Sequence, residues 1–212
     1  MRQKQSQKAT PHRALQTGIH NIMKDIIVFD IETKNTFADV GGQENIAKLE
    51  MSVTGLYSYN EDAYHCFDEN ELDKIEAYLK SAYLIIGFYS KKFDIPVLEK
   101  YFKSNIAKIA HFDILEEIEK RMGRRIGLGV LAEANLGEGK SAHGLQAIEF
   151  YRDGEIQKLK DYCVQDVRIT KRIYDQIKEK KFLYIPQRNT TEMKKISFED
   201  YIEIVPPPAQ LL

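Results

Sequence analysis

Two short and almost wholly apolar segments constrain the fold of this 212-residue chain more than any other feature. Residues 25–31 (DIIVFDI) and 83–88 (YLIIGF) are rich in branched aliphatic side chains, and both are too short for a typical helix. Segments of this kind form strands that are buried on both faces of a sheet. We therefore predict an α/β protein in which residues 25–31 form the central strand.

The remaining pattern places a hairpin and several helices around these strands. Residues 51–59 and 63–67 are predicted strands joined by a turn at 60–62. Asp94 is a predicted N-cap, with Pro96 in the first turn of a helix over 94–101. Apolar residues recur at helical spacing in four more segments, 70–81, 113–122, 142–152 and 155–180. This order predicts helices packed on a mixed sheet.

Three regions differ in composition along the chain. Residues 1–22 are polar, net basic and aperiodic, and we expect a poorly ordered tail. Residues 23–181 contain the periodic pattern and are predicted to form the domain. Residues 182–212 contain two β-like runs, FLYI and YIEIV, followed by three prolines, which indicates a C-terminal extension rather than a second domain.

Charge and cysteine usage restrict the possible partners. The chain has 31 Lys and Arg against 32 Asp and Glu, so a polyanion must be held by local basic patches or by metal ions. No apolar stretch approaches the ~18–20 residues that span a bilayer, so no membrane partner is expected. Cys66 and Cys163 lack zinc-site spacing and are far apart in sequence, which favours a reducing, cytoplasmic compartment.

Acidic residues follow both apolar segments. Asp30 and Glu32 are two apart on the predicted central strand, so both carboxylates face the same side. Divalent cations relieve the repulsion between such groups, and oxygen ligands suit Mg²⁺ or Mn²⁺. Taken alone, the pair is equally compatible with a solvated strand end.

Two further motifs are weak when considered separately. Asp94 follows the second apolar segment and could serve only as a helix cap. Tyr162 and Asp166 are four apart on the longest predicted helix and share one face, which could be an ordinary half-buried surface. The occurrence of all three motifs in this order is what indicates a catalytic site.

The sequences FDIET (29–33), FDIP (93–96) and YCVQD (162–166) resemble the motifs of the DEDD 3′–5′ exonucleases in the ribonuclease H-like superfamily. A tyrosine four residues before the last aspartate marks their tyrosine subclass. Residues 24–180 are similar to the YprB-type ribonuclease H-like domain, which is sometimes joined to helicases. Relatives often carry Asn at the position of Tyr89. The resemblance implies a mixed five-stranded sheet flanked by helices.

The resemblance also implies an activity. Asp30, Glu32, Asp94 and Asp166 would bind two Mg²⁺ or Mn²⁺ ions, and Tyr162 would orient the attacking water. The substrate would be a 3′ end of single-stranded DNA or RNA, and the product a nucleoside 5′-monophosphate. A helicase would be a further partner. The sequence predicts neither a preference for DNA or RNA nor an oligomeric state.

Basic and aromatic residues near these motifs are candidates for substrate binding. Lysine and arginine could follow the phosphate backbone, and aromatic rings could stack on bases, although solvated surface charge and core packing are the alternatives. The candidates are Thr33, Tyr89, Lys91, Lys92, Phe93, Arg124 and Arg125.

Three other functions compete with the exonuclease. A catalytically silent module for nucleic-acid binding or helicase docking could share the fold. A phosphatase with an aspartyl nucleophile would need Asp in place of Glu32, and it would leave Tyr162 and Asp166 without a role. A transposase-like enzyme usually has Glu as its last carboxylate.

Overall fold

A computed structural model of the chain describes residues 24–139 and 144–205. The strands are β1 Asp25–Thr33, β2 Met51–Ser58, β3 Ala63–Asp68, β4 Ala82–Gly87, β5 Ala110–Asp113, β6 Phe182–Pro186 and β7 Met193–Ser197. The α-helices are α1 Leu72–Ser81, α2 Asp94–Leu98, α3 Ile114–Met122, α4 Leu128–Leu136, α5 Gly144–Arg152 and α6 Ile156–Lys180. The predicted tail over 1–22, the three prolines and the predicted helix start at 142 lie outside the described residues.

The main sheet confirms the predicted mixed arrangement of five strands. Its order is β3-β2-β1-β4-β5, so β1 is central. The pairs β1–β2 and β2–β3 are antiparallel, whereas β1–β4 and β4–β5 are parallel. The parallel pairs place the carboxyl ends of β1 and β4 at the same edge of the sheet.

Alternation along β1 explains why the sheet is buried on both faces. Ile26 and Val28 pack on one face with residues of α6, while Ile27, Phe29 and Ile31 pack on the other with residues of α1 and α2. Each β1 side chain in these two sets is at least nine-tenths buried. A continuous apolar segment is therefore required at this position.

Three elements, β5, α4 and β7, were not predicted from the sequence. β5 has four residues, which is too short for a recognisable alternation. Helix α4 lies between the predicted helical segments 113–122 and 142–152, where the sequence pattern indicates no element. Its side chains are apolar almost all round, so no helical stripe marks it, and Leu131 is fully buried while Val130 is exposed.

The predicted helix over 94–101 is α2 followed by a short 3₁₀ helix, Glu99–Tyr101, but two details of the sequence-based prediction were wrong. Asp94 is the first residue of α2 and Phe93 occupies the N-cap position, so the Asp94 carboxylate is available for another role. The run YIEIV at 201–205 forms no strand, and β6 pairs instead with β7, whose sequence is MKKIS. Only one β7 residue, Ile196, is buried, so the strand has no apolar alternation that could predict it.

The β6–β7 hairpin is packed onto the domain. Leu183, Ile185, Ile196 and Phe198 belong to the same core cluster as the inner residues of α4 and α6. Within the described part of the chain, no helix combines the length and the apolar character needed to cross a bilayer.

Candidate active site

One cleft collects all five residues that the motifs predicted to be catalytic. Its volume is about 430 Å³, and it lies where β1 and β4 end and α6 crosses the sheet. Ligand sites of open α/β sheets form at such carboxyl ends. The predicted catalytic residues that line the cleft are Asp30, Glu32, Asp94, Tyr162 and Asp166.

A backbone hydrogen bond holds Asp94 against β1. Its Oδ1 accepts from the N–H of Ile31 at 3.0 Å, and Ile31 lies between the two acidic residues of that strand. The hydrogen bond therefore places Asp94 next to the segment of β1 that carries Asp30 and Glu32. The sequence motifs alone did not contain this contact.

Burial disfavours the ionised form of the Asp94 carboxylate. The residue is only 3% exposed, and burial raises its pKa to about 8 against the opposing effect of the Ile31 hydrogen bond. The negative charge of Asp113 contributes to this rise in the pKa of Asp94. A nearby cation would favour the ionised carboxylate, because its charge opposes the cost of burial.

The donor set fits a hard divalent cation. Asp30, Glu32, Asp94 and Asp166 all line one cleft, and magnesium and manganese prefer carboxylate ligands. The pKa of Asp94 is raised because the carboxylate is buried, and a bound cation would lower this pKa. These residues therefore fit the metal that the resemblance implies.

Cys163 belongs to the same cluster, which sequence reasoning missed. Ligand atoms of Asp30, Glu32 and Cys163 all lie within 4.8 Å of one another. The Cys163 Sγ accepts the N–H of Gly55 at 3.1 Å, and the thiol donates to the carbonyl oxygen of Asp30 at 3.5 Å. A hydrogen bond with Cys66 and then burial raise the Cys163 pKa, so the thiol stays protonated and is a poor metal ligand.

A second missed residue, Asp113, organises the loop that leads to Asp94. Its Oδ1 accepts from the N–H groups of Tyr89 at 2.9 Å and Glu116 at 3.1 Å, and its Oδ2 accepts from Lys91 at 3.0 Å. The carboxylate is only 1% exposed and joins β5, the N-terminus of α3 and the loop after β4. The sequence pattern placed Asp113 as the first residue of a predicted helix, whereas it caps that helix and also holds the loop, which the pattern did not indicate.

Tyr89 has a left-handed backbone, with φ of 66°. Asn adopts this conformation more readily than Tyr, so the backbone at this position would accept the Asn that the sequence resemblance implies. The Arg125 guanidinium lies 4.7 Å from the Tyr89 ring centre and donates to the Tyr89 hydroxyl at 3.0 Å. This pair lines a neighbouring cavity of about 470 Å³, which Asp30 and Asp166 also line.

The predicted substrate residues fall into two groups. Thr33, Tyr89 and Phe93 line the acidic cleft, and Arg125 lines the neighbouring cavity.

The other three candidates line neither cavity and are engaged elsewhere. Lys91 pairs with Glu116 at 2.6 Å, and Lys92 pairs with Glu119 at 3.6 Å. Arg124 donates to the carbonyl oxygen of Pro186 at 2.5 Å. Phosphate binding by these three side chains stays a prediction.

Comparisons with known proteins identify relatives of most of the chain. Residues 27–178 match a sequence model described as RNase_H superfamily. A DNA-directed DNA polymerase of Enterobacteria phage T3 is 23% identical over 215 aligned residues, which cover 82% of this chain and 29% of the polymerase. The family B DNA polymerase of Pyrobaculum calidifontis has a similar fold, with a TM-score of 0.56 and 16% identity over 73% of this chain and 24% of that one.

Proposed function

Because the chain belongs to the RNase H superfamily, we propose that it is a metal-dependent 3′–5′ exonuclease of the DEDD tyrosine subclass and of the YprB type. It removes nucleoside 5′-monophosphates from single-stranded ends. One observation carries the proposal: the four carboxylates and Tyr162, which come from three separate motifs, line a single cleft. Family membership together with this acidic cleft supports a nuclease.

The proposal assigns a task to each acidic residue. Asp30, Glu32, Asp94 and Asp166 hold two Mg²⁺ or Mn²⁺ ions, which when bound supply Lewis acidity and neutralise charge at the scissile phosphate. The Tyr162 hydroxyl orients the attacking water. Glu32 also accepts the terminal 3′-hydroxyl of the substrate, which restricts hydrolysis to a chain end.

The shape of the cleft favours a single-stranded end. A volume of about 430 Å³ lies within the ~300–1,000 Å³ of small-molecule sites, so it suits a nucleotide rather than a duplex. Apolar side chains of Phe37, Phe93 and Leu49 line the cleft beside the carboxylates. They offer a surface for a base, while the acidic edge faces the phosphate.

The similar proteins are much longer than this chain, which limits the activities that can be proposed for it. Both relatives are named as DNA polymerases, and the chain spans only 29% and 24% of their lengths. The proposal therefore concerns hydrolysis and not polymerisation. Association with a helicase stays a prediction.

A time course on 5′-labelled single-stranded DNA and RNA tests the proposal. We expect a ladder that shortens from the 3′ end with Mg²⁺ or Mn²⁺ and is absent with EDTA. Asp30→Ala should abolish it while the protein stays folded, because removing one carboxylate relieves repulsion in the cluster. Asp161→Ala is the matched control, since Asp161 is exposed next to Tyr162 and its one side-chain hydrogen bond to a described residue is with Gln157.

Two outcomes would contradict parts of the proposal. Equal cleavage by wild type and Asp30→Ala would show that the acidic cleft is not the active site. Binding of both polymers without cleavage would identify a catalytically silent nucleic-acid-binding module on the same fold.

A further inference from the structure

The β6–β7 hairpin has two chemically different faces. Leu183, Ile185 and Ile196 are buried in the core. The register pairs Phe182 with Ser197, Tyr184 with Lys195 and Pro186 with Met193. These six residues alternate with the buried ones and form what we call the outer face of the hairpin.

Lysine and arginine are concentrated in and next to this hairpin. Residues 178–198 contain six Lys and Arg but two Glu, in a chain whose total charges nearly balance. Among the described residues, no carboxylate forms a salt bridge with Lys180, Lys181, Arg188, Lys194 or Lys195. Lys91 and Lys92, by contrast, are both paired with glutamates. The hairpin is therefore a local basic patch that could hold a polyanion.

Exposed apolar groups lie among these cations. Tyr184 is 39% exposed and Met193 is 52% exposed. The Phe182 ring contacts the Tyr184 ring at a centroid distance of 5.3 Å, and the Lys195 Nζ lies 3.8 Å from the Phe182 centre. Rings beside cations are the combination that binds bases and phosphates of a single strand.

The outer face is held rigidly on the domain. The Asn135 side chain of α4 accepts from the Tyr184 N–H at 2.8 Å and donates to the Tyr184 carbonyl at 2.8 Å. The backbone around the exposed ring is thereby fixed. A ring on a fixed backbone loses little conformational freedom when a base stacks on it.

Two consecutive arginines, Arg124 and Arg125, lie between the hairpin and the cavity that adjoins the acidic cleft. Arg124 donates to the carbonyl of Pro186 at the end of β6. The next residue, Arg125, lines the cavity that shares Asp30, Tyr89 and Asp166 with the cleft. A strand that leaves the cleft past Tyr89 and Arg125 would therefore reach the hairpin.

We propose that the outer face of the β6–β7 hairpin is a second binding surface for single-stranded nucleic acid. It holds the part of the strand on the 5′ side of the end that enters the cleft. The inference rests on the proposed function for its ligand class. The positive charge of the hairpin favours a polyanion, and the exposed Tyr184 ring favours a polyanion whose bases can stack on it.

Fluorescence anisotropy with 5′-fluorescein 20-mers of oligo(dT) and oligo(rU) tests this surface. Full-length protein is used with EDTA, so that hydrolysis is prevented and the acidic cleft repels phosphate. The variants are Arg188→Ala combined with Lys195→Ala, and Tyr184→Ser alone. The matched control combines Lys103→Ala with Lys108→Ala, because both lysines are exposed between α2 and β5 and neither forms a salt bridge with a described residue.

We expect different changes from charge and ring removal. Loss of two phosphate contacts should weaken binding about tenfold and reduce the slope of log Kd against log salt by about 1.4, at ~0.7 per contact. Tyr184→Ser should weaken binding about fivefold and leave the salt slope unchanged, because stacking carries no charge. The Lys103 and Lys108 control should bind like wild type.

Two results would overturn the inference. One is unchanged binding by both hairpin variants, provided that thermal melts show that they are folded. The other is a result in which poly-glutamate displaces the labelled 20-mer as effectively as unlabelled oligo(dT) does, while Tyr184→Ser binds like wild type. That result would identify an acidic polypeptide as the ligand. The proposed function is tested separately, by hydrolysis of a trinucleotide by wild type with Mn²⁺. Absence of this hydrolysis would contradict the exonuclease and not the hairpin surface.

Discussion

Gly55 determines how closely α6 approaches the sheet. A Cβ at this position would lie 2.9 Å from the Cys163 Sγ and 3.1 Å from the Val167 Cγ2. Both contacts are shorter than normal van der Waals separations, so any larger residue would push the helix away. Tyr162 and Asp166 are on the same stretch of α6, and their reach toward β1 therefore depends on a glycine in β2.

Gly55→Ala should lower the free energy of unfolding by about 1–3 kcal/mol, the usual cost of overpacking a core. It should also reduce hydrolysis, because α6 carries two residues of the cleft. Urea denaturation and the labelled-strand assay measure the two effects. Gly139→Ala is the control, since among the described residues its Cβ would meet only the flexible Glu133 Oε2, at 3.2 Å. Equal stability of both variants would contradict this explanation.

At the scale of elements, the loop between β4 and α2 places Asp94. The loop has no regular structure of its own, and the buried Asp113 accepts hydrogen bonds from two of its N–H groups. A third bond from Glu116 caps α3. One carboxylate therefore fixes a loop and a helix together.

Asp113→Asn should lower the free energy of unfolding by about 2 kcal/mol, because the new amide group would present a donor to a buried N–H. Asp68→Asn provides the control. Asp68 caps a short 3₁₀ helix at the surface, where Asn also accepts from the Asn70 N–H. Thermal or urea melts of both variants measure the difference. A smaller effect at Asp113 than at Asp68 would refute the assigned role.

His111 on β5 should make the stability of this element depend on pH. Burial, and then the charge of Lys91, lower its pKa from 6.5 to about 4, and its Nε2 contacts the Ser90 hydroxyl at 2.8 Å. The folded protein therefore keeps His111 neutral, while the unfolded chain takes up a proton below pH 6.5. The contribution of His111 to stability is complete above this pH and is lost as the pH falls toward 4.

Urea melts between pH 4.5 and 7.5 measure this effect in wild type and His111→Gln. Glutamine can keep a hydrogen bond to Ser90 but does not titrate. We expect wild type to lose up to about 1.4 kcal/mol per pH unit more than the variant in the acidic part of the range. Parallel curves for both proteins would exclude His111 as the cause.

At the scale of the whole molecule, the core extends past the predicted domain end at residue 181. Phe198 is fully buried, the Arg121 guanidinium covers its ring at 4.3 Å, and its N–H donates to the Lys181 carbonyl at 2.7 Å. The hairpin therefore covers the α4–α6 side of the core. Its outer face is free for the binding surface proposed above.

Phe198→Ala should lower the free energy of unfolding by about 3–5 kcal/mol, because it leaves a cavity in the core. Met193→Ala is the matched control in the same hairpin and should change stability by less than about 0.5 kcal/mol, since Met193 is exposed. Chemical denaturation compares them. A small effect of Phe198→Ala would show that the domain folds without its C-terminal segment.

The elements that were predictable from sequence are those whose signal is local. β1 is a continuous apolar run, the β2–β3 hairpin alternates around a polar turn, and α6 repeats its apolar residues over seven turns. β5 and α4 have no such signal, because one is too short and the other is apolar all round.

The sequence by itself determined that residues 25–31 form the central strand of a mixed sheet, and it supplied the motifs whose residues line the cleft. Tertiary structure alone decided that Asp113 fixes the loop before Asp94. It also decided that Cys163 packs against Gly55, where a side chain would leave no room for it. It also decided that the outer face of the hairpin remains exposed and that Lys91 and Lys92 are paired. The physical reason is that periodicity reports which side of its own element a residue occupies, whereas these features depend on contacts between residues far apart in the chain.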